Sequence, residues 1–367
     1  MATAKPQEFD IIVIGSSFSS YYSASVLSQA SYKVALISDR PENTISPSLD
    51  GLLKLIPHTE DNKTSLQTLK SFLPLEFSEI EIIPKTYEGK EEREFLGFGE
   101  NTSAAIRIFD LWNQKKWLHL SQAPHELLPH LSFEGRSFPA SSITQIQKKE
   151  QEASLAYEIT LNGHQSLYAP KVIFCDSPLN LLSFFPSDLS PRAHQKLSKA
   201  KPWSLMTLQI QQSLPTSPQK SSSGELFIFS GKMRKNEQPE PVVGRLFPSH
   251  SVWIAPLLTE DLANHDLSVA IYRNIKKFSQ KALKEATPTQ EAVVILKDAY
   301  GFLNLPLKEG LCLPALPSFH LCHPLITEKA EGFIADLQMA HEILSYLLPE
   351  STLRDKPSLN KENSISP

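Results

Sequence analysis

The sequence predicts an α/β protein of two domains, and three observations carry that reading. Residues 9–40, FDIIVIGSSFSSYYSASVLSQASYKVALISDR, place two short apolar runs on either side of a turn and a helical segment. Residues 137–176 read as successive strands that end in a second buried run, Val172-Ile173-Phe174. Residues 329–348 form a long segment with helical apolar spacing.

The N-terminal unit is the most informative. Ile11-Ile12-Val13-Ile14 is β-branched and apolar without interruption, as a parallel strand buried on both faces requires. Gly15 marks a turn, and Phe18, Tyr22, Val26 and Leu27 recur at helical spacing. A second apolar strand at 34–37 ends at Ser38-Asp39-Arg40. Strand, turn, helix and strand in about 30 residues make a βαβ unit. In dinucleotide-binding sheets the first turn reads G-x-G-x-x-G, and an acidic residue about 20 positions on takes the ribose hydroxyls. Here the three glycine positions hold Gly15, Ser17 and Ser20, and the acidic position falls on Ser38, with Asp39 one step beyond. A Cβ and hydroxyl at Ser17 enter the space where backbone meets pyrophosphate, whereas Ser20 costs little. The pattern is a dinucleotide frame with altered binding chemistry. The other reading is an ordinary βαβ unit that never bound a nucleotide.

Composition narrows the classes. With 41% apolar and 21% charged residues over 367 positions, the chain reads as soluble and globular, large enough for two domains. A net charge of −4 argues against a nucleic-acid surface, and no apolar run approaches a membrane span of about 20 residues. MATAKPQEFD lacks the charged-then-apolar pattern of a signal peptide, so a cytoplasmic location is expected. Thirteen glycines are about half of what an average usage of about 7% gives, in keeping with the altered turn. Cys175, Cys312 and Cys322 are too few for a disulfide framework. The His320-Leu321-Cys322-His323 stretch lacks the paired spacing of zinc ligands, so no metal is expected.

Further along, 64–73 has helical spacing, 79–83 alternates like a strand, and 88–94 reads as a charged, solvated run. Phe109, Trp112 and Trp117 read as core. AYEITL at 156–161 runs into a turn at Asn162-Gly163-His164, giving a β-meander. Strands are expected at 204–210, 225–229, 252–256 and 292–297, with a Ser/Pro linker at 215–224 and a helix at 267–283. In the closing helix, Phe333, Ile334, Leu337, Ala340, Ile343, Leu344 and Leu347 follow the i, i+3, i+4 rule.

In this order the pieces resemble the flavin-containing amine oxidase superfamily, which includes protoporphyrinogen oxidases and phytoene-desaturase-like enzymes. The βαβ unit at Gly15 is one point of likeness. Ile143-Thr144-Gln145-Ile146 with the AYEITLNG hairpin is similar to the strand that contacts adenine and the meander after it. Val172-Ile173-Phe174-Cys175-Asp176-Ser177-Pro178 is similar to a "VI-x-A-x-P" strand. Residues 331–344 are similar to the "EGAIxSGxxAAxxIL" helix whose N-terminal amides approach the flavin. The resemblance implies an FAD/NAD(P)-binding Rossmann-like parallel sheet with a β-meander, plus a mixed-sheet substrate-type domain. It divides the chain into a discontinuous FAD-type domain (1–57, 131–185, 306–349), a substrate-type domain (58–130, 186–305) and a disordered tail (350–367). The cofactor positions it implies are Gly15, Ser16, Ser17, Phe18, Ser20, Ser38, Asp39, Arg40, Ile143, His323, Gly332 and Phe333. No catalytic residue can be assigned.

The departures fall where that superfamily touches its cofactor. Ser17 and Ser20 replace glycines, and Ser38 replaces the ribose-binding acid. The glycine- and arginine-rich stretch that should follow has no counterpart in 41–56, and Leu321-Cys322-His323-Pro324 stands where a "GD" is expected. Phe333 and Leu337 replace alanine and glycine. Two functions follow. One is an FAD-dependent oxidoreductase that removes a hydride from an amine or a C–C bond of a small molecule. The alternative is a pseudoenzyme of flavoprotein fold that has lost FAD and serves as a binding or scaffold protein, with a protein partner. An NAD(P)-dependent enzyme on a generic Rossmann fold leaves the meander and the closing helix unexplained.

Overall fold

The computed structural model describes residues 7–39, 52–70, 73–99, 104–110, 112–131, 133–151, 154–213, 224–230, 241–283, 287–327 and 332–349. At its centre is a five-stranded, all-parallel sheet. Its spatial order is Phe319–Leu321, Lys171–Phe174, Ile11–Ile14, Val34–Ile37 and Arg136–Phe138. All four residues of Ile11–Ile14, and all four of Val34–Ile37, are buried. The helix Phe18–Gln29 leaves the central strand and packs against the closing helix, Gly332–Leu347. An antiparallel meander (Ile143–Gln151, Ser154–Leu161, Gln165–Ala169) contributes Ile146, Tyr157, Ile159, Leu161 and Leu167 to the same core. Its turn at Asn162 and Gly163 has φ of +50° and +73°, a region these two residue types tolerate best.

The topology fixes where a ligand can sit. The chain passes from Ile11–Ile14 to its neighbour Val34–Ile37 on one side, while the neighbour on the other side is Lys171–Phe174. The order of strands therefore reverses beside the first strand, and in open parallel sheets the crevice beyond the carboxyl ends at such a point is the ligand site.

A second, seven-stranded sheet runs Thr287–Tyr300, Trp203–Ser213, His250–Leu258, Val242–Leu246, Glu225–Phe229, Lys85–Glu88 and Glu91–Glu94. It is antiparallel apart from a single parallel bridge between Phe227 and Lys85. The helix His265–Leu283 covers one face through Ile271, Ile275, Ala282 and Leu283. A three-stranded sheet (Leu55–Pro57, Lys116–Leu120, Phe77–Glu81) completes the fold, and Phe109, Trp112 and Trp117 are core residues, the two indoles stacked at 5.0 Å.

Two of the differences from the sequence expectation have a clear physical reason. The charged run at 88–94 belongs to a hairpin, Lys85–Glu88 with Glu91–Glu94. Its charges pair: Lys85 Nζ lies 2.7 Å from Glu92 and 2.9 Å from Glu225, and Arg93 pairs with Glu88 and Glu91. Opposite charges across an edge ladder support a strand that apolar periodicity does not reveal. Val242–Leu246, wholly buried, is hidden in the sequence by Gly244, which the Trp253 ring covers. The 215–223 part of the expected linker and the 350–367 tail lie outside the described residues.

Candidate functional site

A cleft of about 430 Å³ opens at the switch point of the parallel sheet. One wall is the carboxyl rim of the sheet: Ser16 and Ser17 after the first strand, and Cys175, Asp176 and Ser177 after its neighbour. The opposite wall is the end of Thr287–Tyr300, from Ile295 to Tyr300, in the seven-stranded sheet. Gly332 and Asp336 of the closing helix and His323 close the cleft. Its volume lies within the range of about 300–1,000 Å³ usual for small-molecule sites.

Gly15 makes the rim. Its φ is +138°, and a Cβ there would lie 2.9 Å from the Cys175 Cβ and 3.1 Å from the Cys175 carbonyl carbon. The two strand ends meet too closely for any side chain. The serines that follow largely bond to one another. The Ser16 and Ser38 hydroxyls are 2.9 Å apart, Tyr21 Oη lies 3.2 Å from Ser38 Oγ, and the Asp39 N–H donates to Ser16 Oγ. Ser17 Oγ lies 2.7 Å from Ser19 Oγ, and Ser20 Oγ donates to the Ser17 carbonyl at 2.6 Å. Ser16, Ser17, Ser19 and Ser20 thus bond locally around a helix start that has no side-chain cap, whereas the buried Ser23 hydroxyl has no partner among the described residues.

The expected cofactor positions separate into two groups. Ser16, Ser17, His323 and Gly332 line the cleft. Gly15 is buried beneath it. Phe18 and Phe333 are buried and meet edge to face, ring centroids 5.2 Å apart, in the seam between the two helices. Ser20 and Ser38 are buried, and the Asp39 carboxylate accepts the Ser141 N–H, which ties the strand end to the segment before the meander. Ile143 is half-buried in the meander, and Arg40 lies outside the described residues.

Sequence reasoning missed the cleft's acids. Asp176 is half-buried, and burial together with the Asp39 charge pushes its carboxyl up to about 6. Burial pushes Asp336 up to about 8. Asp298 is only 2% exposed, and its Oδ1 has no hydrogen-bond partner among the described residues. Burial lowers His323 to about 4 against the opposing pull of Asp298, and its Nδ1 accepts the Leu325 N–H, so it stands as neutral imidazole. Burial and neighbouring Cys322 raise the Cys175 thiol well above its ordinary range, which leaves it a poor nucleophile. A sequence signal existed for Asp336. It falls three residues after Phe333 and four before Ala340, on the apolar stripe of the closing helix, where an unpaired acid is out of place. Asp298 carried no such signal, because only pairing between strands brings it to the cleft.

These residues do not fit FAD. The dinucleotide's pyrophosphate is anionic, while the turn that should cradle it faces Asp176, Asp298 and Asp336, with Lys297 the one cation among the described residues lining the cleft. The ribose position is filled by the Ser16–Ser38–Tyr21 hydroxyls, and the nearest acid, Asp39, is engaged by backbone. Among the described residues no group of three or more His, Cys, Asp or Glu side chains is placed to hold a metal, and no helix is long and apolar enough to cross a membrane.

No family model and no curated protein matches the sequence. Solved structures do match in fold. A geranylgeranyl bacteriochlorophyll reductase-like protein from Thermoplasma acidophilum is 14% identical over 94% of this chain and 78% of its own, with a TM-score of 0.52. An oxidoreductase from Methanosarcina mazei is 10% identical over 92% and 99%, with a TM-score of 0.55. Putrescine oxidase, solved with putrescine bound, is 12% identical over 94% and 99%, with a TM-score of 0.52. At such identities the likeness is one of fold. The chain has the Rossmann-type fold of these solved structures, a parallel sheet with a separate mixed sheet, as the sequence resemblance implied.

Proposed function

We propose that this chain is a flavoprotein-fold pseudoenzyme that has given up FAD and uses the cleft at the switch point to bind a small molecule. The observation that carries this reading is the lining of that cleft. Ser16, Ser17 and Gly332, which the resemblance assigns to an anionic cofactor, line the cleft, yet the acidic side chains Asp176, Asp298 and Asp336 line it with them and only Lys297 among the described lining residues is a cation. On this reading the segments 1–57, 131–185 and 306–349 keep the form of a cofactor domain because packing, not cofactor contact, maintains it. A role as a scaffold for a protein partner is compatible with it.

The second reading is an FAD-dependent oxidoreductase acting on an amine or a C–C bond. The tight turn at Gly15 and the place of Gly332 in the lining of the cleft favour that reading. A visible absorbance spectrum of the purified protein, taken before and after incubation with FAD and desalting, separates the two. A colourless protein is expected. Flavin bands that survive desalting overturn the proposal and restore the oxidoreductase.

A further inference from the structure

The seven-stranded sheet has two edges of different character. One, Glu91–Glu94, is short and carries only charged, exposed side chains, which is how a sheet edge is kept from pairing with other chains. The other, Thr287–Tyr300, runs for 14 residues and pairs only with Trp203–Ser213 among the described residues. Val293 and Ile295 are 49% and 39% exposed there, on the same face of the strand as the exposed Glu291 and Lys297. Val294 is the register partner of Thr207, and its carbonyl accepts the Thr207 hydroxyl at 2.8 Å, so its backbone faces inward. Backbone groups alternate in direction along a strand, so those of Val293 and Ile295 face the open edge. Pro288, which has no N–H, and Asp298, with φ of +53°, bracket this stretch.

We propose that two copies of this chain pair along Thr287–Tyr300, antiparallel about a two-fold axis at Val294. The side chains set the register. Placing Val294 opposite its own copy puts Val293 opposite Ile295 and Glu291 opposite Lys297, each twice by symmetry and all on the exposed face. Opposed β-branched residues and opposed charges are the cross-strand pairs that stabilise a sheet. A slip of two residues, which keeps the same faces together, sets Glu291 opposite Ile295 or Lys297 opposite Val293. The backbone agrees with this register. Val293 and Ile295 bring outward N–H and C=O groups to hydrogen-bonded pairs, and Val294 takes the non-hydrogen-bonded place at the axis. Glu291 meets Lys276 Nζ at 3.0 Å and Tyr272 Oη at 3.1 Å, both through Oε2, so Oε1 can take Lys297 of the second copy. Ile295 and Lys297 also line the cleft, so the pairing brings the second copy beside it.

The test is sedimentation velocity of the full chain over a range of concentrations, with charge reversals at the edge. A reversible dimer is expected for the wild type. Glu291→Lys and Lys297→Glu, made singly, should each weaken it by about 10-fold or more, because each sets like charges opposite each other twice. The double variant Glu291→Lys with Lys297→Glu restores opposite charges in the same register and should recover the dimer. Circular dichroism checks that each variant is folded. Lys297→Glu leaves the Glu291–Lys276 contact intact, and it decides the matter if the variants at Glu291 do not fold. A wild-type chain that stays monomeric at every concentration overturns the proposal. So does a folded Lys297→Glu variant that dimerises as tightly as wild type, or a folded double variant that stays as weak as the single ones. None of these outcomes depends on whether the protein binds flavin.

Discussion

Ile14 and Phe174 are register partners in the middle of the parallel sheet, and both are almost wholly buried. Two residues further along the same strands, Ser16 and Asp176 line the cleft. Over that short distance the rules change. From Ile11 to Ile14 and from Val172 to Phe174 every side chain is apolar and matches what a dinucleotide fold needs. Beyond them, on the proposed reading, the chemistry of cofactor binding has been replaced, position by position. The difference teaches that the interior is held by packing and the rim by ligand contact, so one can drift while the other stays. Substitutions on either side of this boundary should therefore have very different consequences.

The largest effect is expected inside. Phe174 packs against Phe319 (centroids 5.5 Å apart) and edge-on against Phe184 (6.2 Å). Phe174→Ala should cost about 3–5 kcal/mol, the usual range for an aromatic removed from a core. Urea unfolding reads this directly, and a loss below about 1 kcal/mol would mean that the sheet interior is not packed as described. Gly15→Ala comes next, at about 1–3 kcal/mol, because its Cβ meets Cys175 and its φ of +138° suits only glycine. If Gly15→Ala proved neutral, the close approach of the two strand ends would be wrong.

How much of this was legible in the sequence follows the same boundary. Ile11–Ile14 and Val34–Ile37 were readable because a strand buried on both faces must be continuously apolar. The closing helix was readable from its apolar period. The Lys85–Glu94 hairpin was not, because cross-strand ion pairs stabilise it and these leave no periodic trace. At the site, the lost glycines and the missing ribose acid were visible one by one. What replaced them was not. The pairing of Ser16 with Ser38 joins residues 22 apart, and Asp298 reaches the cleft only through its partner strand. Departures from a cofactor motif are local in sequence, whereas the lining of a cleft is assembled in space.

The rim also predicts a pH dependence of stability. Asp336 is pushed from an ordinary 3.8 up to about 8 in the folded protein, so the native state holds a proton that the unfolded chain releases. Across about pH 4 to 8 unfolding therefore liberates a proton, and stability falls as pH rises, levelling off above about 8. Asp176, raised to about 6, adds a slope of the same sign over the lower part of that range. Glu79 and Glu158, held below their ordinary values by their partners, act in the opposite sense, and their share is lost only on the acid side. Asp336→Asn should flatten the decline between pH 6 and 8 and raise the melting temperature at pH 8. Parallel slopes for variant and wild type would show that Asp336 is solvated like any surface acid.

The smallest effect is expected at Ser17, the position where the departure from a dinucleotide turn is most direct. Its φ of −82° is open to any residue, so glycine gains nothing from its freedom there and loses a little entropy. Its hydroxyl makes no cap to the helix and, among the described residues, bonds only to Ser19 Oγ, so Ser17→Gly removes one hydrogen bond between hydroxyls. The change in stability should stay within about 0.5 kcal/mol. Nor should glycine restore flavin, even combined with Ser38→Glu. Asp176, Asp298 and Asp336 still line the cleft, and Phe333 still fills the helix seam against Phe18. A yellow double variant would show that the rim differs from a working cofactor site by two side chains. The boundary between a packed interior and a rebuilt rim would then be far shallower than the acids of the cleft indicate.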